Sequence, residues 1–219
     1  MLGDLDLGLH LVRSQALRDG VSLSTVTARL ASAAGLATRL LPATDDRLRT
    51  HLVTPAGTFA FQEWFVARRH EDEVDALVYE GADVSRPAPG VLVAIATADA
   101  LVVAPSNPFV SIHPILAVPD IRSALEARTA RSIAVSPLIG GLAVRGPLDR
   151  MMQRLVGGTT PAHVATCYEG LLDGLVIDRA DAQAEADVAL VVTDTLITDR
   201  EAARRLAETT LEVAMGGPK

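Results

Sequence analysis

Leu101-Val102-Val103-Ala104-Pro105-Ser106-Asn107-Pro108-Phe109-Val110-Ser111-Ile112 is an apolar run that breaks into prolines interleaved with small hydroxyl and amide side chains. It reads as a buried strand emptying into a polar loop. In an open α/β sheet, ligands sit in the crevice beyond the carboxyl ends of the strands, where free N–H groups, hydroxyls and an amide suit a phosphate or nucleotide. Pro, Ser and Asn are equally the residues of an ordinary strand-to-helix turn, so this stretch marks a strand end and leaves its use open.

Outward from it the pattern is regular. Apolar periodicity predicts a helix over 89–97 ahead of a strand at 100–104, a helix around 120–127 ahead of a strand at 132–135, and helices at 147–155 and 161–172. Strands at 174–177 and 189–192 and a terminal helix over 198–214 complete the series. Strands alternating with helices at this spacing define βαβ units, hence an α/β fold with a mostly parallel sheet flanked by helices.

The N-terminal part reads differently. Leu5, Leu9, Val12, Ala16 and Leu17 recur at helical spacing before Gly20, and Ser22 or Ser24 caps a second helix carrying Val26, Leu30 and Ala33, closed by Gly35. This is a helical hairpin. Strand-like runs at 38–41, 48–53 and 58–61, with a Pro55-Ala56-Gly57 turn, predict a small antiparallel ribbon. A short helix at 62–69 and a strand around 76–79 follow. The expected organisation is one domain over 1–219, with the hairpin and ribbon in 1–70 and the α/β nucleotide-binding part in 71–219.

Bulk properties narrow the function classes. With 219 residues the chain can bury a sizeable core, and 3% aromatic residues mean that Leu, Val, Ile and Ala build it. A net charge of -7 argues against binding a nucleic-acid backbone or an anionic membrane surface. No apolar run reaches the roughly 18 residues of a membrane span, and Met1-Leu2-Gly3-Asp4-Leu5-Asp6 lacks a basic start followed by an apolar stretch. A cytoplasmic protein is expected. The single cysteine, Cys167, excludes an internal disulfide and reads as a packed helix residue.

Candidate chemistry gathers at three strand ends: Ala104-Pro105-Ser106-Asn107-Pro108, Ser136-Pro137-Leu138-Ile139-Gly140-Gly141 and Thr193-Asp194-Thr195-Leu196. If the strands are parallel neighbours, these loops open onto one rim. Ser106, Asn107 and Ser111 then supply donors, Gly140 and Gly141 let backbone N–H groups approach an anion, and Arg145 adds a charge-assisted contact. Against this, Arg145 and Asp149 equally suit a solvated loop and a helix start. Asp4, Asp6, Asp45 and Asp46 are oxygen ligands suited to Mg²⁺ bridging phosphates, or else caps and turn residues. Trp64, the only tryptophan, is either a stacking wall for a planar heterocycle or core packing. The five histidines show no zinc spacing, and neither a G-x-S-x-G elbow nor a P-loop is present.

Taken in order, Gly3-Asp4-Leu5-Asp6-Leu7, Pro42-Ala43-Thr44-Asp45-Asp46-Arg47, Phe61-Gln62-Glu63-Trp64, Arg86-Pro87-Ala88-Pro89-Gly90-Val91, the Ala104–Pro108 loop with Ser111-Ile112, and Ser136–Gly141 resemble the 2-phospho-L-lactate transferase family of the CofD and FbiA type. The likeness runs from the first residues to the terminal helix. It implies a Rossmann-like fold and a step in making the deazaflavin coenzyme F420. In that step a phospholactyl or phosphoenolpyruvyl group passes from a guanosine diphosphate conjugate to the primary hydroxyl of the deazaflavin Fo, releasing GMP with Mg²⁺ assistance. The resemblance implies that Ser106, Asn107 and Ser111 hold the diphosphate, and that Gly140, Gly141 and Arg145 line the nucleotide side. Asp4 and Asp6 would serve the deazaflavin and the metal, with Trp64 also near the deazaflavin. No catalytic residue is singled out, and a homodimer is expected.

The departures set further expectations. The family carries a glycine-rich first loop and metal-binding aspartates upstream of the Gly-Asp-x-Asp block, which here begins at Asp4, so the chain is expected to lack the N-terminal third. Its sheet would then expose an unpaired hydrophobic edge. Arg49 stands where an acid is usual, and His113 stands where the family tends to have glycine, where it is expected to crowd the phosphate loop. Two other readings stay open: a nucleotide- or nucleotide-sugar-binding regulatory protein of the same superfamily, and an inactive fragment.

Overall fold

A computed structural model describes residues 3–217. The N-terminal part comprises α1 (Asp4–Arg18), α2 (Leu23–Ala33), β1 (Arg49–Thr54), β2 (Gly57–Ala60) and β3 (Ala76–Glu80). Next come α3 (Val91–Ala96), β4 (Ala100–Val103), α4 (His113–Leu116), α5 (Pro119–Glu126), β5 (Arg131–Val135), β6 (Leu138–Ile139) and β7 (Leu142–Ala143). The chain ends with α6 (Leu148–Val156), α7 (Pro161–Thr166), β8 (Gly174–Asp178), β9 (Ala189–Thr193) and α8 (Arg200–Ala214). Single π-helical turns occupy Glu63–Ala67 and Pro108–Ile112.

Because successive side chains of a strand point to opposite faces, the apolar runs of β5 and β8 must be covered on both sides. Ile133, Val135 and Val176 pack with Leu206 and Ala214 of α8, whereas Ala134, Leu175 and Ile177 pack with Leu148, Met151 and Met152 of α6 and Val164 of α7. Three layers result. The strands run parallel in the order β4-β5-β8-β9, with Val102 opposite Ile133, Ala134 opposite Leu175 and Val176 opposite Val191. With that monotonic order, right-handed crossovers put the connecting helices on one face and leave the other to α8.

A second, antiparallel sheet has the order β2-β1-β3. It shares the larger core through Leu52, Trp64 and Val74. The strand around 76–79, read as the lead into the α/β part, belongs to this sheet, with Leu77 opposite Leu52. The half-exposed alternation of β3 suits a sheet covered on one face only. Residues 38–41 form no strand, because β2 and β3 already occupy both edges of β1. The helix expected over 161–172 stops at Thr166, and Gly170 turns the chain at φ +76°. Helix α2 forms as expected, with Ser22 accepting from the Thr25 amide.

Helix α1 departs from the amphipathic expectation. None of its residues is buried, Leu5, Leu9, Leu11 and Val12 are exposed, and it packs mainly against α2. At the far side of the parallel sheet, β4 pairs with β5 alone and its outer edge is open. No helix among the described residues is long and apolar enough to cross a membrane.

Candidate functional site at the strand ends

Beyond β4 the chain reverses within a few residues. The Asn107 Oδ1 accepts from the amides of Phe109 (2.9 Å) and Val110 (3.3 Å), capping the π-helical turn that Pro108 begins. Its Nδ2 faces only the Met151 sulfur, at 3.5 Å. Beyond β5, Ser136 Oγ donates to the Leu138 carbonyl at 3.0 Å and accepts from the Leu138 amide at 3.2 Å, turning the chain into the β6–β7 hairpin. Beyond β9, the Thr195 amide and hydroxyl donate to Asp178 Oδ2 at 2.9 and 3.1 Å. Partial burial works against charge on Asp178, yet the donors from Ala180 and Thr195 outweigh it and hold the carboxyl below the usual carboxylate range.

These three strand ends surround a crevice of about 300 Å³, lined by Pro105, Asn107, Ser136, Arg145, Leu148 and Thr195 among others. Arg145 is exposed at its rim and has no hydrogen-bond or ion-pair partner among the described residues. Arg145 therefore sets an unpartnered guanidinium at the rim of a concave, partly apolar space at the carboxyl side of a parallel sheet, whose Asn107, Ser136 and Thr195 side chains are engaged within the chain. Such a place suits a phosphorylated ligand.

The expected residues divide. Asn107 and Arg145 line the crevice. Ser106 sits between two lining residues, its amide donating to the Ala104 carbonyl at 2.7 Å, and Ser111 is exposed on the π-helical turn; neither borders the crevice. Gly140 and Gly141 form the tip of the β6–β7 hairpin at φ +58° and +74°, conformations that a two-residue hairpin loop requires. The Gly140 amide donates to Asp181 Oδ2 at 2.9 Å, so in this conformation it is engaged within the chain. Ser136 and Thr195 belong to the crevice without having been assigned roles from sequence. Their signal was present, since Ser136 follows β5 directly and Thr195 lies two residues past β9.

The carboxylates expected around magnesium lie elsewhere. Asp4 and Asp6 are exposed in the first turn of α1, and residues two apart on a helix do not share a face. Asp6 lines a separate groove between α1 and α2. Asp45 accepts from the Ser24 amide and hydroxyl at 2.6 and 2.7 Å, and Asp46 accepts from the Arg86 amide at 2.8 Å, so both act as turn ties. Among the described residues no group of three or more His, Cys, Asp or Glu is placed to hold a metal ion. These carboxylates do not fit the ion.

Trp64 is 1% exposed, and its indole N–H donates to the Asp72 carbonyl at 3.2 Å. Core packing is its role here; its edge reaches a separate cleft beside Arg150 and Met151. Nor does His113 crowd the crevice. It lies edge-on to Phe109 and Tyr168, its Nε2 donating to the Cys167 carbonyl at 2.8 Å, and it braces the turn from behind. Burial pushes its pKa below the ordinary value, against the pull of that carbonyl, and Arg122 adds to the lowering. Burial also pushes the Cys167 thiol up to about 11, in keeping with a packing residue.

A Rossmann-like α/β protein with a phosphate-suited crevice at its strand ends is the class that fold and geometry define. Residues 2–213 match the family described as 2-phospho-L-lactate transferase CofD, and the chain belongs to that family of transferases of coenzyme F420 biosynthesis. It is 44% identical to a phosphoenolpyruvate transferase of Kitasatospora aureofaciens, over 97% of this chain and 70% of that protein. Another phosphoenolpyruvate transferase, from Thermobifida fusca, is 40% identical over 98% of this chain and 68% of its own length. Among solved structures, a UPF0052 family member from Bacillus halodurans shares the fold at a TM-score of 0.66 and 18% identity, covering 94% of this chain and 72% of the other.

Proposed function

We propose that this chain transfers a phosphoenolpyruvyl group from a guanosine diphosphate conjugate to the primary hydroxyl of Fo. In the step, the acceptor oxygen attacks the phosphorus that bears the enolpyruvyl group and forms a phosphodiester. The bond from that phosphorus to the bridging oxygen breaks, GMP leaves with the oxygen, and the hydroxyl proton passes to solvent. Such chemistry asks the protein chiefly to position the reactants and stabilise spread negative charge. The observation that carries the reading is the crevice beyond β4, β5 and β9, lined by Asn107 and by Arg145, whose guanidinium has no partner among the described residues and can meet a diphosphate. Names of the curated relatives favour the enolpyruvyl over the lactyl donor. The described carboxylates do not fit magnesium, so this proposal rests on the chain's own donors.

The test is GMP release with Fo and Mg²⁺, using the enolpyruvyl and the lactyl guanosine diphosphate conjugates in parallel. Faster release from the enolpyruvyl donor, dependent on Fo, is expected. Release from neither donor by folded protein contradicts the reading, and a preference for binding a uridine diphosphate sugar over GDP replaces it with a regulatory one.

A further inference from the structure

We infer that Tyr79 is a positioning residue for the strand-end crevice: from the antiparallel sheet, its hydroxyl holds the π-helical turn that Asn107 caps. The inference rests on the reading of that crevice as the seat of the guanosine diphosphate part. Tyr79 Oη donates to the Phe109 carbonyl at 2.6 Å, across a sequence separation of 30 residues. The local sequence creates the need for this donor. In the turn Pro108–Ile112 the His113 amide donates to the Pro108 carbonyl. The next donor in the same register is residue 114, a proline, which has no N–H. The carbonyl of Phe109, a residue 4% exposed, is thereby denied a partner from its own turn, a condition that buried backbone groups rarely tolerate. Tyr79 supplies that bond.

Both backbone polar groups of Phe109 are thus held by side chains, the amide by Asn107 Oδ1 at 2.9 Å and the carbonyl by Tyr79. Its ring is fixed as well, with the His113 ring edge-on at a centroid separation of 5.5 Å. Alternation along β3 places Tyr79 for this task. Leu77 and Tyr79 are half-buried between exposed Ala76, Val78 and Glu80, and Thr50 of β1 stands opposite Tyr79. Burial pushes the Tyr79 hydroxyl above the ordinary tyrosine pKa, and the nearby Cys167 adds to the rise, so the group stays a donor through the working pH range. Because Asn107 lines the crevice and is bound to the same residue as Tyr79, the antiparallel sheet reaches the ligand space through Phe109. Loss of the hydroxyl releases the Phe109 carbonyl, and a ligand must then order a looser turn, which lowers affinity without touching the chemistry.

The test is Tyr79→Phe, which removes the hydroxyl and keeps the ring. Expected are GDP binding weaker by at least about fivefold in calorimetry, and amide exchange of the free protein faster by at least about tenfold over 109–113, with 133–135 and 175–177 unchanged. In GMP release with Fo and the enolpyruvyl donor, the donor KM rises by at least about fivefold while kcat stays within about twofold. Val26→Ala, at a buried side chain of α2 remote from the turn, lowers the melting temperature and leaves GDP affinity within about twofold. An equal loss of affinity in Val26→Ala makes the effect one of stability alone and overturns the inference. Wild-type GDP affinity in folded Tyr79→Phe, unaltered exchange over 109–113, or a fall in kcat at constant KM overturns it too, and each leaves the reading of the crevice standing. No GDP binding by the wild-type chain contradicts that reading itself, and the inference falls with it.

Discussion

Asn107, which lines the crevice, has two separable polar groups, because its oxygen caps the π-helical turn while its nitrogen meets only the Met151 sulfur. Asn107→Asp keeps an oxygen for the cap and replaces the donor by a negative charge. We therefore expect a melting temperature close to that of the wild type and GDP affinity reduced by at least about tenfold, as measured by calorimetry. Asn107→Ala loses both roles, costing about 1 kcal/mol of stability besides affinity. Arg145→Ala, at a side chain with no partner among the described residues, should leave stability unchanged and weaken GDP by about 1.5–3 kcal/mol. Equal GDP affinity in either Arg145→Ala or Asn107→Asp removes that residue from the site. Asn107 stands out in the sequence as an amide just past an apolar strand, whereas Arg145, ten residues past β5, suited a solvated loop equally well, and only the fold brings it to the crevice rim. Gly140 and Gly141 were not, since a glycine pair serves a hairpin tip and a phosphate loop equally well, and only their positive φ at a two-residue loop decides between them.

At the scale of elements, the turn after β4 is held from behind by His113, whose folded form resists protonation. The unfolded chain takes up a proton near the ordinary value of 6.5, so native stability from this group is complete above that pH and declines as pH falls below it. Denaturant titrations from pH 7.5 down to 5.5 should show this decline, with a smaller slope in His113→Phe, which also costs about 1 kcal/mol at pH 7.5 through the unpartnered Cys167 carbonyl. An identical slope in the variant would assign the pH dependence to other groups. The β6–β7 hairpin gives a second prediction. Gly141→Ala combines φ +74° with a Cβ placed 2.8 Å from Thr159 Oγ1, and should destabilise by about 1–2 kcal/mol in thermal melts. Elements with strong local signals, such as α2 with its Ser22 cap, follow from sequence. Residues 38–41 and β3 do not, because edge availability on β1, not local propensity, decides which run becomes a strand there.

For the whole molecule, alternation of apolar strands with helices makes the parallel sheet legible, and the two faces of β5 and β8 confirm the layers it requires. The open edge of β4 and the exposure of α1 are not written in their own sequences, since an apolar run looks the same whether or not a neighbour lies against it. Exposed aliphatic side chains on α1 and along β4 predict association through those surfaces, seen as a mass that rises with concentration in light scattering and is reduced by Val102→Lys. The central claim is that the crevice joining β4, β5 and β9 holds the guanosine diphosphate part of the donor. Amide exchange with and without saturating GDP tests it most directly. Slowed exchange confined to residues 105–111, 136–145 and 194–197 is the expected result; protection centred on α1 or around Trp64, or none at saturation, would contradict it.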